Sequence, residues 1–173
     1  MAKKSKKQKT NGKLFLAIAL LFGIASIFMI LLPAIKVIDN DTAYTGLQVV
    51  FGHDEKKETL FGSTITTPIL EFSFMNLLAY ILVIVGVITL ILNLIGKANG
   101  LLSLISIIAL VGAGVLFFLT ANFTMPVVGD ISSFLGATVE EIRTYYQLGI
   151  GAILGGIFSI LAGVSQLVKN FVK

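Results

Sequence analysis

The chain has 173 residues, of which 56% are hydrophobic and only 13% charged, and its mean hydropathy is +0.97. A soluble domain carries roughly 25% charged residues, and a disordered chain combines high charge with low hydrophobicity. The composition therefore excludes both classes and indicates a membrane protein. The chain has no cysteine, which also excludes disulfides and thiolate chemistry.

The first 13 residues form a basic tail, which we predict to be cytoplasmic and to contact anionic lipid headgroups, at about 1 kcal/mol for each basic residue near the surface. Binding of nucleic acid is the alternative for a lysine-rich run, but no arginine or aromatic residue is interleaved with these lysines. We therefore predict no nucleic-acid partner. The predicted headgroup contacts are Lys3, Lys4, Lys6, Lys7 and Lys9.

Four apolar runs free of Asp, Glu, Lys and Arg follow the tail, at residues 14–32, 76–95, 101–120 and 148–168. A helix needs roughly 20 such residues to cross a bilayer. The first run is longer than the apolar part of a cleaved signal peptide, so we expect it to be retained. The pattern predicts a mainly α membrane protein, in which residues 14–173 form a single four-helix bundle with a small extracellular antiparallel β-sheet.

The charges are sorted between the two sides of these runs. Nine of the 13 basic residues lie in the two termini and in the link between the second and third runs, whereas all nine acidic residues lie in segments 33–75 and 121–147. Because cytoplasmic segments carry the excess of lysine and arginine, we predict a multi-pass protein of the cell membrane with both termini cytoplasmic.

The first outer segment, residues 33–75, is too long for a simple turn. Residues 45–52 have the composition of a strand, followed by a charged turn over 53–58. Residues 59–67 suit a second strand that ends at Pro68, and residues 36–38 a short third one. We predict an outer interaction surface on the first of these strands, formed by Gly46, Leu47, Val49 and Phe51.

The second outer segment, residues 121–147, divides into two parts. Residues 123–128 contain Pro126 and are predicted to be extended at a sheet edge. Thr138 and Glu141 have the spacing of a capping box, so residues 139–147 are predicted to be helical and to run directly into the fourth span.

Familiar catalytic and metal-binding arrangements are not visible in the sequence. His53, Asp54, Glu55 and Glu58 are close together, but one histidine and flexible acids beside two lysines are more typical of a solvated turn than of a zinc site. We therefore predict no cofactor, no metal and no enzymatic activity. A lipid-acting enzyme would need outer acids such as Glu71 to converge on a cleft.

Transport is an alternative function. Ion-coupled carriers usually keep an ionisable residue at membrane depth, and the four runs contain no Asp, Glu, Lys, Arg or His. Their scattered Ser, Thr, Asn and Gln residues suit hydrogen bonds between helices. A small channel or transporter component, assembled from several copies so that polar faces meet, remains the second hypothesis.

The fourth run carries a ridge of small residues spaced every four positions, which lets two helix backbones approach closely. The ridge has two readings: packing within one four-helix bundle, which we favour, or docking to another membrane protein. Its members are Gly151, Gly155, Ser159 and Gly163.

The layout resembles the claudin-like tetraspan superfamily, which has four helices, cytoplasmic ends and a first outer segment that bears a small sheet. The family's first-loop signature is a tryptophan, then Gly-Leu-Trp, then two cysteines. Gly46 and Leu47 match two of these letters, Gln48 stands in place of the tryptophan, and the cysteine pair is absent. The resemblance implies a role in adhesion, in barrier formation or in support of another membrane protein.

These observations predict a non-enzymatic membrane protein that acts as an interaction, adhesion or accessory subunit through its outer sheet and helix faces. The expected partners are the lipid bilayer and either another membrane protein or further copies of the chain.

Overall fold

A computed structural model of the chain describes residues 2–38, 41–58, 64–97, 99–127, 138–139 and 143–171. Among these residues, four helices are long and apolar enough to cross a membrane: Gly12–Leu31, Phe74–Leu94, Gly100–Phe118 and Ile150–Phe171. They correspond to the four apolar runs of the sequence. Small antiparallel sheets accompany them, and within the described residues there are two of these rather than the one predicted.

The first helix, α1, extends over Ala2–Phe28 and ends in a 3₁₀ turn over Met29–Leu31. The basic tail and the first apolar run are therefore one continuous helix. The other long helices are α3 (Phe74–Leu94), α4 (Gly100–Phe118) and α6 (Ile150–Phe171). Helix α1 packs against α6 and α3, and α4 packs against the same two helices, so the order around the bundle is α1–α6–α4–α3.

Side chains from all four long helices fill the centre of the bundle. Leu110, Val83 and Leu90 are fully buried there, and the rings of Tyr80 and Phe117 meet edge to face with centroids 4.8 Å apart. Burial of this apolar surface within one chain is consistent with a closed bundle. The interior is packed rather than open.

One end of the bundle carries two three-stranded antiparallel sheets, and we call it the sheet end. The first sheet has the order β2–β1–β6, with β1 at Pro33–Val37, β2 at Ala43–Thr45 and β6 at Tyr146–Leu148. The second has the order β3–β4–β5, with β3 at His53–Glu58, β4 at Thr64–Glu71 and β5 at Met125–Pro126. The opposite end, where α1 begins and α6 ends, is called the basal end.

A second, smaller core joins the first sheet to the bundle. Ala34 and Ile35 of β1 pack with Val49, Leu70 and Ala152, and all five are almost completely buried. Strand β1 pairs with β6, with Ile35 opposite Leu148, so the start of α6 is held directly beneath the sheet. The sheet end is therefore anchored to the bundle by apolar packing as well as by strand pairing.

The strand predicted over residues 45–52 is wrong, because residues Gly46–Phe51 form a short helix, α2. Its start is fixed by a capping box in which Thr45 and Gln48 bond each other's backbone N–H groups. The Thr-x-x-Gln spacing was present in the sequence, but the Val and Phe residues favoured a strand. The four residues 120–123 likewise form a helical turn, α5, where an extended chain was predicted to begin.

The predicted turn over 53–58 is also wrong, because these charged residues form β3, paired with β4 along its whole length. Strand β4 continues through Pro68 to Glu71 instead of ending before it. Within the described residues, β5 pairs with Leu70 and Glu71 of β4 and does not extend as far as Pro68, so the missing N–H of Pro68 faces no described strand on that side. Residues 59–63 of the predicted strand lie outside the described residues.

The helix predicted to run directly from residue 139 into the fourth span is interrupted. Residues Tyr146–Leu148 form β6, and the Gly149 N–H donates a hydrogen bond of 2.8 Å to the Ala34 carbonyl before α6 begins. Pairing with β1 is incompatible with a helical backbone at these residues. Glu141 of the predicted capping box lies outside the described residues.

Candidate interaction surfaces

The short helix α2 carries the predicted outer interaction surface and divides it between two faces. Gly46 and Val49 are buried, and Gly46 lies against Ile30 and the Tyr80 hydroxyl. Leu47 and Phe51 are one helical turn apart and point outward, with 41% and 60% of their surfaces exposed. Only these two of the four predicted residues can therefore contact another molecule.

Phe72 extends the exposed apolar surface of α2. It is 50% exposed and lines, together with Phe51, a shallow cleft of about 300 Å³ between α2 and the second sheet. The remaining walls of the cleft are Gly52, His53, Asp54, Pro68, Leu70 and Glu71.

Gly52 makes the tight junction between α2 and β3. Its φ angle is +90°, and a Cβ added there would lie 2.7 Å from the Leu70 carbonyl oxygen, so only glycine fits without strain. His53 follows, with its Nδ1 3.2 Å from the Gln48 amide nitrogen and its ring 5.7 Å from the Tyr44 ring. The histidine is thus tied to α2 and β2 rather than placed in a solvated turn.

The candidate cluster of titratable groups does not form a metal site within the described residues. No group of three or more His, Cys, Asp or Glu side chains is close enough there to hold a metal ion. Asp54 and Glu71 both line the cleft beside His53, whereas the side chain of Glu58 lies outside the described part of the chain.

Two tyrosines lie on the outer strands of the first sheet, one on either side of β1. Burial, and secondarily the negative charge of Glu55, raise the pKa of Tyr44 on β2. Burial, and secondarily the proximity of Tyr44, raise the pKa of Tyr146 on β6. Both phenols therefore stay neutral up to a higher pH than a tyrosine with an ordinary pKa.

Strands β3 and β4 form a hairpin that is exposed on both of its faces. Residues 54–56 of β3 and residues 66–68 of β4 are all exposed, although they pair with each other across the hairpin. The exposed side chains include both charge signs, from Asp54 and Glu55 to Lys56. This part of the hairpin extends away from the bundle rather than covering it.

The ridge on α6 faces α1 and α4 of the same chain. A Cβ at Gly151 would lie 2.8 Å from the Leu32 carbonyl oxygen, and the Ser159 hydroxyl donates a hydrogen bond of 2.7 Å to the Leu110 carbonyl. Gly155 is buried between Met29 of the 3₁₀ turn that ends α1 and Phe117 of α4, and Gly163 is buried against α4. All four members of the ridge are therefore covered within one copy of the chain.

Polar side chains meet near the basal end, in a cluster that was not recognised from the sequence. Gln166 is fully buried on α6, and its amide nitrogen donates a hydrogen bond of 2.7 Å to the Ser103 hydroxyl of α4. Ser103 also bonds Asn170, and Lys169 Nζ bonds the Asn93 amide oxygen at 2.9 Å. The cluster joins α3, α4 and α6. In the sequence, its only indication was that polar residues lie near the ends of these three helices.

The predicted headgroup contacts Lys3, Lys4, Lys6, Lys7 and Lys9 lie in the first turns of α1. Their side chains are outside the described part of the structure. Lys13, the last lysine of the tail, is described and exposed.

Comparisons of the chain with protein-family models, with curated proteins and with solved structures find no significant match. The resemblance to the claudin-like tetraspan superfamily, and the role that it implies, therefore stay predictions.

Proposed function

We propose that this chain is a non-enzymatic, multi-pass membrane protein that acts as an interaction or accessory subunit through its sheet end. The sorting of charges supports an orientation in the cell membrane with the sheet end outside and both termini in the cytoplasm. The length and composition of the four long helices support membrane insertion.

The exposed hairpin β3–β4 is the observation that carries this proposal. A two-stranded ribbon is marginally stable by itself, yet residues 54–56 and 66–68 are exposed on both strands. Within the described part of the chain, β3 is also the edge strand of its sheet, and sheet edges are common sites for the addition of a partner's strand. A partner that packs on the hairpin would supply the burial that the hairpin lacks.

The apolar residues beside the hairpin support the same surface. Leu47 and Phe51 point outward from α2, and Phe72 lines the same cleft as Phe51. Interfaces between proteins are enriched in aromatic side chains surrounded by polar ones, which is the arrangement at this end of the chain. The expected partner is the outer part of another membrane protein or a second copy of this chain.

Substitutions on the hairpin test the proposal. We expect Thr66→Arg with Thr67→Arg to release a partner that remains bound to wild type during purification in mild detergent. The matched control is Thr66→Val with Thr67→Val, which keeps β-branched residues at both positions and should retain the partner. A wild-type chain that purifies as a solitary monomer, identified by mass spectrometry, would count against the proposal.

The orientation can be tested separately because the chain has no native cysteine. A cysteine introduced at Thr67 should react with a membrane-impermeant maleimide on intact cells. One introduced at Asn99, in the α3–α4 connection, should react only after the cells are opened. The reverse pattern would contradict the proposed orientation.

A small channel or transporter component is the alternative function. A path through one copy would have to displace the buried side chains of Phe117, Leu110 and Val83, so a conducting assembly needs several copies. Flux measured in reconstituted vesicles, scaling with oligomer formation, would favour this alternative over the accessory role.

A further inference from the structure

A shallow apolar groove of about 390 Å³ lies between α1 and α3, in the basal half of the bundle. Beside the groove the two helices touch closely, since a Cβ on Gly23 of α1 would lie 2.7 Å from Val87 Cγ2 of α3. Ala17, a small and exposed residue, lines the groove nearest its basal end. The lining residues are Ala17, Leu20, Leu21 and Ile24 from α1 and Leu94 from α3.

Toward the basal end, each of the two chain segments that form the groove continues to an exposed lysine. Lys13 precedes Leu20 and Ile24 by seven and eleven residues, which is close to two and three whole turns, so it lies on the same face of α1. Lys97 follows Leu94, the last residue of α3, by three positions. Both lysines are exposed.

The acidic side chains that the structure describes lie at the sheet end, away from these lysines. They are Asp41, Asp54, Glu55 and Glu71. The groove therefore combines an apolar wall at bilayer depth with two lysines toward one end of it. This is the chemistry of an anionic phospholipid, with an acyl chain and a phosphate headgroup.

We propose that the groove between α1 and α3 binds one anionic phospholipid, with an acyl chain along Ala17, Leu21 and Ile24 and its phosphate at Lys13 and Lys97. The site rests on the membrane insertion proposed above, but not on the partner of the hairpin. A lysine near a membrane surface favours an anionic headgroup by about 1 kcal/mol, which is about fivefold in affinity. Two lysines therefore give a preference of about thirtyfold over a zwitterionic lipid.

Native mass spectrometry of the full chain in mild detergent tests this site. Phosphatidylglycerol or phosphatidylcholine with identical acyl chains is added at increasing concentration, and bound lipids are counted. We expect the wild type to retain one phosphatidylglycerol at a concentration about thirtyfold lower than is needed for phosphatidylcholine. Equal retention of the two lipids would overturn the proposal.

Two variants separate the groove from the charge. Ala17→Phe fills the groove and should reduce the binding of both lipids, with Ile108→Phe as the control because Ile108 is also exposed on a long helix but lies outside the groove. Lys13→Gln with Lys97→Gln should remove the preference for phosphatidylglycerol, with Lys56→Gln at the sheet end as its control. Unchanged binding in Ala17→Phe would overturn the groove as the site.

The same spectra exclude other occupants of the groove. A dimer that Ala17→Phe dissociates would show that a second copy, rather than a lipid, fills the groove, and would overturn the proposal. The hairpin proposal fails instead if the double variant Thr66→Arg, Thr67→Arg keeps the partner that the wild type binds. The two failures are therefore distinguishable.

Discussion

The Ser26 hydroxyl on α1 donates a hydrogen bond of 2.8 Å to the main-chain carbonyl of Gly155 on α6. Ser26 is fully buried, and this bond joins two spans that lie 129 positions apart in the chain. The approach is close because neither residue at the contact has a large side chain. The stability of the bundle therefore depends on the small residues of α6, because a larger side chain at these positions would occupy the space into which the neighbouring helices pack.

Gly151 and Gly155 should respond differently to the same substitution. A Cβ at Gly151 would meet main-chain oxygens of Leu32 and Met29 at 2.8 and 2.9 Å, whereas at Gly155 its nearest neighbours would be 3.5 Å away. We expect Gly151→Ala to lower the free energy of unfolding by about 1–3 kcal/mol because the backbone cannot yield. Gly155→Ala should change it by less than about 1 kcal/mol, and unfolding in mild detergent measures both.

Gly155→Leu tests the effect of a larger side chain at the same position. A leucine is too large for the space beside Phe117 and Met29, so the monomer itself should be destabilised. If the monomer stayed intact and only a partner were lost, the ridge would be a docking face instead.

The basal polar cluster should show a strong asymmetry between its members. Ser103→Ala removes the acceptor of the buried Gln166 amide and should cost about 1–2 kcal/mol. Gln166→Leu should be nearly neutral, because within the described residues the Gln166 side-chain oxygen has no hydrogen-bond partner and its removal offsets the lost bond.

The double variant of Ser103→Ala and Gln166→Leu should therefore be more stable than Ser103→Ala alone. Unfolding free energies of the four proteins give the coupling directly. Simple additivity would show that the hydrogen bond between Gln166 and Ser103 contributes nothing.

Stability should fall at alkaline pH through the two tyrosines of the first sheet. Burial, and then Glu55, raise the pKa of Tyr44 above its ordinary value of 10.0, and the pKa of Tyr146 is raised as well. A group whose pKa is raised on folding stabilises the protein below its unfolded pKa of about 10, and this stabilisation is lost as pH rises through the folded pKa. We expect Tyr44→Phe to weaken the loss of stability above about pH 10.

Glu55→Gln tests whether the negative charge of Glu55 contributes to the raised pKa of Tyr44. Removing the negative charge should lower the pKa of Tyr44 toward its ordinary value without abolishing the shift, because burial is the larger cause. Titration of the phenolate absorbance, compared with that of Tyr44→Phe, identifies the contribution of this residue. An unchanged titration would show that Glu55 does not act on Tyr44.

The junction between α2 and the hairpin should depend on Gly52. Its φ of +90° and the nearby Leu70 carbonyl leave no room for a side chain, so Gly52→Ala should destabilise the chain by about 1–3 kcal/mol. Gly96 also has a positive φ, of +77°, but within the described residues a Cβ there would have no neighbour within 4 Å. Gly96→Ala is therefore the control, and it should cost less than Gly52→Ala.

The apolar runs predicted the four long helices closely, because a bilayer-length helix depends on local composition alone. The sheet end was predicted less well, because its structure depends on distant partners. Residues 53–58 form a strand only through pairing with β4, and Tyr146–Leu148 only through pairing with β1. Local charge or helical spacing could not reveal either pairing. The Thr45–Gln48 capping box was the one local signal that could have placed α2 correctly.

The same limit applies to the candidate surfaces. The sequence placed Gly46, Leu47, Val49 and Phe51 together, but the side chains that a helix exposes differ from those that a strand exposes. The groove lined by Ala17 also depends on how α1 and α3 are placed against each other, which the sequence of neither helix determines by itself.

The pairing of β1 with β6 has a consequence for how the protein is made. Ile35 is synthesised directly after the first span, but its partner Leu148 comes immediately before the last one. During translation, one edge of β1 stays unpaired until β6 has been synthesised. The first sheet is therefore completed only when the chain has reached the fourth long helix. In the orientation proposed above, a ribosome stalled before that point would leave an open strand edge on the outer side of the membrane, where quality-control factors could recognise the unfinished chain.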